Sequence, residues 1–289
     1  MLLTACSAGP KPASTVTPDS AADPSEVSQD TQTTDEPIDS GAPEADDEPS
    51  LPEVTIDPVT PSMTAEEAAA ALSTALGTLP DGGEILAAYR MLMANGDEVC
   101  PGAELYITDD HLRGCEASTG YAYAGVTEWY EGPVDELSNG AIEGVAGDFW
   151  ITTPDGLLFE GGGHSFLITG DDGWVQDLRG SWLWDGGEPW LAHGFSGTLK
   201  IDVLNENRIK MSGGAQVNGT SWFATNLRLK ESCDYGPKGS LGIRDPSGGW
   251  YDMSFEDCDP CALVVFEETE LGVACVNFAP FLAAVEGLQ

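Results

Sequence analysis

Histidines are where proton transfer or metal binding would begin in this chain, and there are three: His111, His164 and His193. No two fall in the HxH or HExxH spacing that sets a pair of imidazoles on one ion, so the sequence assigns no metal ligand. In "GGGHSF" His164 adjoins Ser165, and in "HGFSG" Ser196 follows His193 by three positions. Either His164 or His193 could act as the general base of a secreted or periplasmic hydrolase with a distant Asp. Neither serine lies in a GxSxG elbow, however, and adjacent strand residues face opposite ways. The simpler reading puts both histidines in glycine-rich turns. Carboxylates are so abundant that no acid and base pair stands out, and neither Asp171-Asp172 nor Glu256-Asp257 with Asp259 follows the EF-hand pattern. No catalytic residue and no cofactor is therefore expected.

The other reactive groups are thiols. Beyond Cys6 come Cys100, Cys115, Cys233, Cys258, Cys261 and Cys275, an even number. Cys100 and Cys115 stand together far upstream, and a local bridge is their simplest pairing. The last four, separated by 24, two and 13 residues, fit either a four-thiolate zinc site with Cys258 and Cys261 as its knuckle or two disulfides. A single CxxC with two scattered partners is a weaker zinc signal than paired CxxC motifs, which favours disulfides, and four cysteines leave three pairings open. A redox pair is disfavoured because β segments, not a helix start, flank this CxxC.

These side chains need elements to hold them. "SMTAEEAAAALSTALGTLPDGGEILAAYRMLMANGDE" has helical texture, with Thr64 as N-cap, Glu67 completing a capping box and Gly77 as stop. A second helix opens at Pro80-Asp81, carries Ile85, Leu86, Tyr89, Leu92 and Met93 on one face, and ends at Asn95-Gly96. The pattern predicts a short helical hairpin over residues 61–96, packed by its apolar side on the main domain. From about residue 119, aromatic and β-branched segments alternate with turn signals such as Asp171-Asp172-Gly173, Asn218-Gly219 and Pro246-Ser247-Gly248. Residues 97–289 are thus expected to be mainly β, a disulfide-stapled antiparallel meander closed as a barrel, folded as a sandwich or left as a curved sheet. Gly125, Gly147, Gly162, Gly163 and Gly180 lie inside or beside these segments and are expected to be bulges or bends. Charges within "VQDLRG" and "NLRLK" oppose a lipid-facing barrel row.

At the front, Leu3-Thr4-Ala5-Cys6 resembles the lipobox of bacterial lipoproteins: a branched aliphatic, small residues, then the cysteine that receives a diacylglyceryl thioether. The resemblance covers these four positions, and only Met1 and Leu2 precede them. It implies lipidation at Cys6, a signal-peptide remnant at 1–5 whose front lies upstream of Met1, and a membrane partner reached through the acyl anchor. Ser7 in place of Asp implies the outer membrane or cell surface. Residues 6–60 then form a tether. Positions 7–60 hold 13 acidic residues, one basic residue (Lys11) and no Phe, Trp or Tyr, too little apolar surface to offset ordering entropy.

The formal net charge is −38, from 49 acidic and 11 basic residues. Such a polyanion is repelled by nucleic acid, so none is expected as a partner. The combined expectation is a lipid-anchored envelope protein with a non-enzymatic binding or structural β domain for an unknown protein or glycan ligand. Eight tryptophans in the β region motivate the glycan alternative, because exposed indoles stack on sugars.

Overall fold

The computed structural model describes residues 59–102, 104–186, 194–204, 208–256 and 258–288. Cys6, the tether as far as residue 58, Trp190 and His193 lie outside them. Two helices come first, α1 (Ala65–Leu76) and α2 (Gly82–Met93). Twelve strands follow: β1 (Cys115–Glu116), β2 (Ala122–Val134), β3 (Gly140–Thr152), β4 (Leu158–Gly170), β5 (Gly173–Trp184), β6 (Phe195–Leu204), β7 (Arg208–Val217), β8 (Thr220–Lys230), β9 (Pro237–Arg244), β10 (Trp250–Phe255), β11 (Cys261–Phe266) and β12 (Thr269–Cys275). A last helix, α3 (Ala279–Gly287), closes the chain. All strands join one antiparallel sheet in sequence order. Among the described residues β1 pairs with β2 alone and β12 with β11 alone, so this single sheet is open at both ends.

The helices form where their caps allow. Thr64 and Glu67 make the reciprocal capping box, and the Asp81 carboxylate accepts from the Gly83 and Glu84 amides. Ile85, Leu86, Tyr89, Leu92 and Met93 are all buried. α2 lies on β3, β4 and β5, whereas α1 lies on β8, β9 and β12 and against α3. Alternate strand residues face these helices, so Val145, Leu178, Leu199 and Ile201 are fully buried while Lys200 and Arg228 point away.

Buried polar bonds seat both helices on the inner face. The Gln176 amide donates to the Pro80 carbonyl at 2.9 Å and accepts from the Gly82 amide at 2.8 Å, and Ser165 donates to the Gly82 carbonyl at 3.3 Å. Asp245 Oδ2 accepts from the Ser62 amide (3.0 Å), the Ser62 hydroxyl (2.7 Å) and the Tyr251 phenol (2.5 Å). Burial opposes the Asp245 charge, but the bonds from Ser247, Tyr251 and Ser62 outweigh it and hold the carboxyl below its ordinary pKa.

Four inner-face glycines lie in one cross-strand row: Gly147 faces Gly163, Gly163 faces Gly180, and Gly180 faces Gly197. All four have positive φ, from 92° to 156°. A Cβ on Gly163 would stand 2.2 Å from the Arg179 carbonyl oxygen, and one on Gly180 would stand 1.7 Å from that of Gly162. The ladders run through these pairs without a register shift, so they are bends and not bulges. Beside the row, Phe149 and Trp182 meet edge to face over Gly161, with centroids 6.0 Å apart.

Three disulfides complete the frame: Cys100–Cys115, Cys233–Cys258 and Cys261–Cys275. The two CxxC cysteines go to different partners and form neither a zinc knuckle nor a redox pair. The last bridge joins directly opposed residues of β11 and β12.

Gly163→Ala should cost about 3 kcal/mol or more, combining left-handed strain with carbonyl overlap, and chemical denaturation will measure it. Asp245→Asn should cost about 1–3 kcal/mol at pH 7 by disturbing a buried bonded carboxylate. Because folding lowers the Asp245 pKa, its contribution is complete above about pH 4 and is lost as the pH falls further, so urea melts should show the penalty shrinking at pH 3.

Candidate functional site

The predicted residues scatter. His164 lies in the middle of β4, not in a turn, because "GGGHSF" continues the strand in register with β3 and β5. Its ring stacks on Phe166 with centroids 4.5 Å apart, and Nε2 lies 3.2 Å from Asp177 Oδ1. The Arg179 guanidinium also donates to Asp177, at 3.2 Å. Ser165 points to the opposite face, fully buried under α2, so the adjacent His and Ser act on different sides of the sheet. Ser196 is on the outer face and accepts from Ser181 at 3.4 Å. His111 sits in a short 3₁₀ turn, Asp109–His111.

The acidic clusters serve the loops. Asp171 accepts from the Asn139 amide at 2.6 Å and Asp172 from the Ser138 hydroxyl, which ties the β2–β3 turn to the β4–β5 turn. Asp259 accepts from the Cys261 amide at 2.9 Å. Among the described residues no three His, Cys, Asp or Glu side chains converge as metal ligands would.

The tryptophans mostly turn inward. Trp129, Trp174, Trp182, Trp184 and Trp222 are buried, Trp250 is half-buried, and Trp150 is 41% exposed. Aromatics on the outer face lie over glycines instead. Phe166 covers Gly144, where a Cβ would be 2.0 Å from its ring, and meets Tyr130 edge to face at 5.2 Å. The Tyr130 hydroxyl donates to Glu128 at 2.5 Å, which pushes the phenol above its ordinary pKa. Phe223 covers Gly242 in the same way and meets Trp250.

The same face collects the cations. Seven of the chain's eleven Lys and Arg residues fall in β6 to β9, all at outer positions. Lys210 stands opposite Arg228, and Arg228 opposite Lys238, so three positive charges sit side by side across three strands. Arg208 faces Lys230 in the adjoining row. Lys210, Arg228 and Lys238 form no ion pair among the described residues. Next to the row β8 bulges: one extra residue, Asn226, adopts φ 49° between Thr225 and Arg228, with Gly239 opposite. A Cβ on Gly239 would lie 2.6 Å from the Asn226 carbonyl oxygen. The bulge opens two adjoining concavities of about 670 and 200 Å³ that share Asn226 and Arg228.

Composition hides this row, because 49 acidic residues swamp it. Its trace is the alternation of basic residues in "NRIK", "NLRLK" and "PKGSLGIR". No family model, curated protein or solved structure matches the chain.

Like charges on opposed strand residues repel, and a Debye length of about 8 Å at physiological salt leaves these neighbours in range, with Asp202, opposite Lys210, offsetting part of the repulsion at that end of the row. Arg228→Gln should therefore raise stability by about 0.2–1 kcal/mol at 0.15 M salt. The gain should vanish near 1 M salt, where the Debye length is about 3 Å. Paired denaturation curves in the two salts will show it.

Proposed function

We propose that the chain is an exported, lipid-anchored protein of the cell envelope whose β domain is a non-enzymatic binding module, with the outer face of the sheet as its working surface. The observation that carries this reading is the one-sidedness of the sheet. The inner face is occupied by α1 and α2, while the outer face keeps its charged side chains in solvent, uncovered among the described residues. A long row of alternating outward side chains on a rigid ladder suits recognition, and repulsive cations held against a small stability cost are common where binding needs them.

The anchor is supported by Leu3-Thr4-Ala5-Cys6 and by the aromatic-free acidic stretch after it. Export is supported by the three disulfides, which persist in oxidising compartments. Binding rather than hydrolysis is supported at His164 by the neighbouring Ser165 hydroxyl, which faces the core on the opposite side of the sheet and donates to the Gly82 carbonyl.

Intact mass spectrometry of the protein from its native host tests the reading. The expected mass begins at Cys6, carries acyl chains, and shows six cysteines without free thiols. An unmodified Met1 with reduced thiols would overturn both the anchor and the compartment.

A further inference from the structure

We propose that the two adjoining concavities at the bulge, on the outer face of β6 to β10, form a binding site for an acidic saccharide, a sugar chain carrying carboxylate or sulfate groups. The inference rests on the binding-module reading and gives that module a ligand class. Arg228 and Lys238 line the larger concavity, and Lys210 and Lys200 line the smaller one. Adjacent strands are about 4.8 Å apart, so the Lys210–Arg228–Lys238 row spans about 10 Å and suits a ligand with more than one anionic group.

The remaining lining separates a saccharide from simpler anions. Ser212, Ser240 and Ser254 contribute hydroxyls and Asn226 an amide, groups that both donate to and accept from sugar hydroxyls. Ser240 and Ser254 hydrogen-bond across β9 and β10 at 3.1 Å, which fixes their positions. Asp202 and Glu256 also line the concavities. They repel an anionic group of any ligand at those two points but accept from hydroxyls, which suits a chain whose anionic groups are interspersed with hydroxyls better than a phosphate-dense duplex or a plane of anionic head groups.

The net charge of −38 opposes any anion at long range. A short saccharide segment seated in the concavity meets the local cations first, since at physiological salt the Debye length is about 8 Å. Duplex DNA, stiff over about 50 nm, cannot bend a short segment into the concavity and stays in the field of the whole molecule.

Calorimetric titration of the full chain with polygalacturonate and with heparin, beside dextran as a neutral polymer, tests the site. Binding of at least one acidic polymer and not of dextran is expected. The exposed double variant R228Q/K238Q should weaken it by about tenfold or more, the loss expected for charge-assisted bonds. R113Q, remote in sequence from the row, should not, and thermal melts will show that each variant folds. Three results would overturn the site: no binding of either acidic polymer, binding unchanged in R228Q/K238Q, or equal binding of duplex DNA or phosphatidylglycerol vesicles. The broader reading fails differently: shortened saccharide products during the titration would count against a non-enzymatic module, while dextran binding that R228Q/K238Q leaves unchanged would overturn only the acidic site.

Discussion

Backbones of neighbouring strands come so close along the Gly147–Gly163–Gly180–Gly197 row that no side chain fits between them, and the sheet is organised around that contact. Without Cβ atoms, four consecutive strands take positive φ at the same level and bend together. On one side of the row lie Val145, Ser165, Leu178 and Leu199, and on the other Phe149, Trp182 and Phe195. Both sets are buried. A sheet bent in this way has a covered inside and, among the described residues, an outside left to solvent.

The helices fix which side is which. Apolar burial alone is non-directional. Gln176, Ser165 and Asp245 add direction, because each buried polar atom accepts only a few geometries. Through them the start of α2 is held over β4 and β5, and the entry to α1 is held to the β9–β10 turn. Ser165 shows how one position can mislead. Beside His164 it reads as a possible nucleophile, yet its hydroxyl anchors a helix.

Local signals were plain in the sequence. The capping box at Thr64, the start of the second helix at Pro80-Asp81, the buried face of α2 and the change to β texture near residue 119 all depend on neighbours within a few residues, and each is where the pattern places it. Features set by register were not legible. The alignment of four glycines, the pairing of Cys233 with Cys258, and the row from Lys210 to Lys238 each require knowing which residue faces which across strands. The histidine followed the same rule. Three glycines before His164 suggest a turn, but paired with Phe149, Asp148 and Gly147 on one side and Trp182, Ser181 and Gly180 on the other they continue a strand.

Because every strand pairs with its neighbour in the chain, the sheet can be assembled in the order in which the polypeptide is synthesised. Each new strand meets an edge already in place. Helix α1 is the exception. Its seat is built from β8, β9 and β12, and Ser73 waits for the Asn277 amide 204 residues later. The seat of α1, the first helix among the described residues, is thus complete only once β12 and Asn277 have been made.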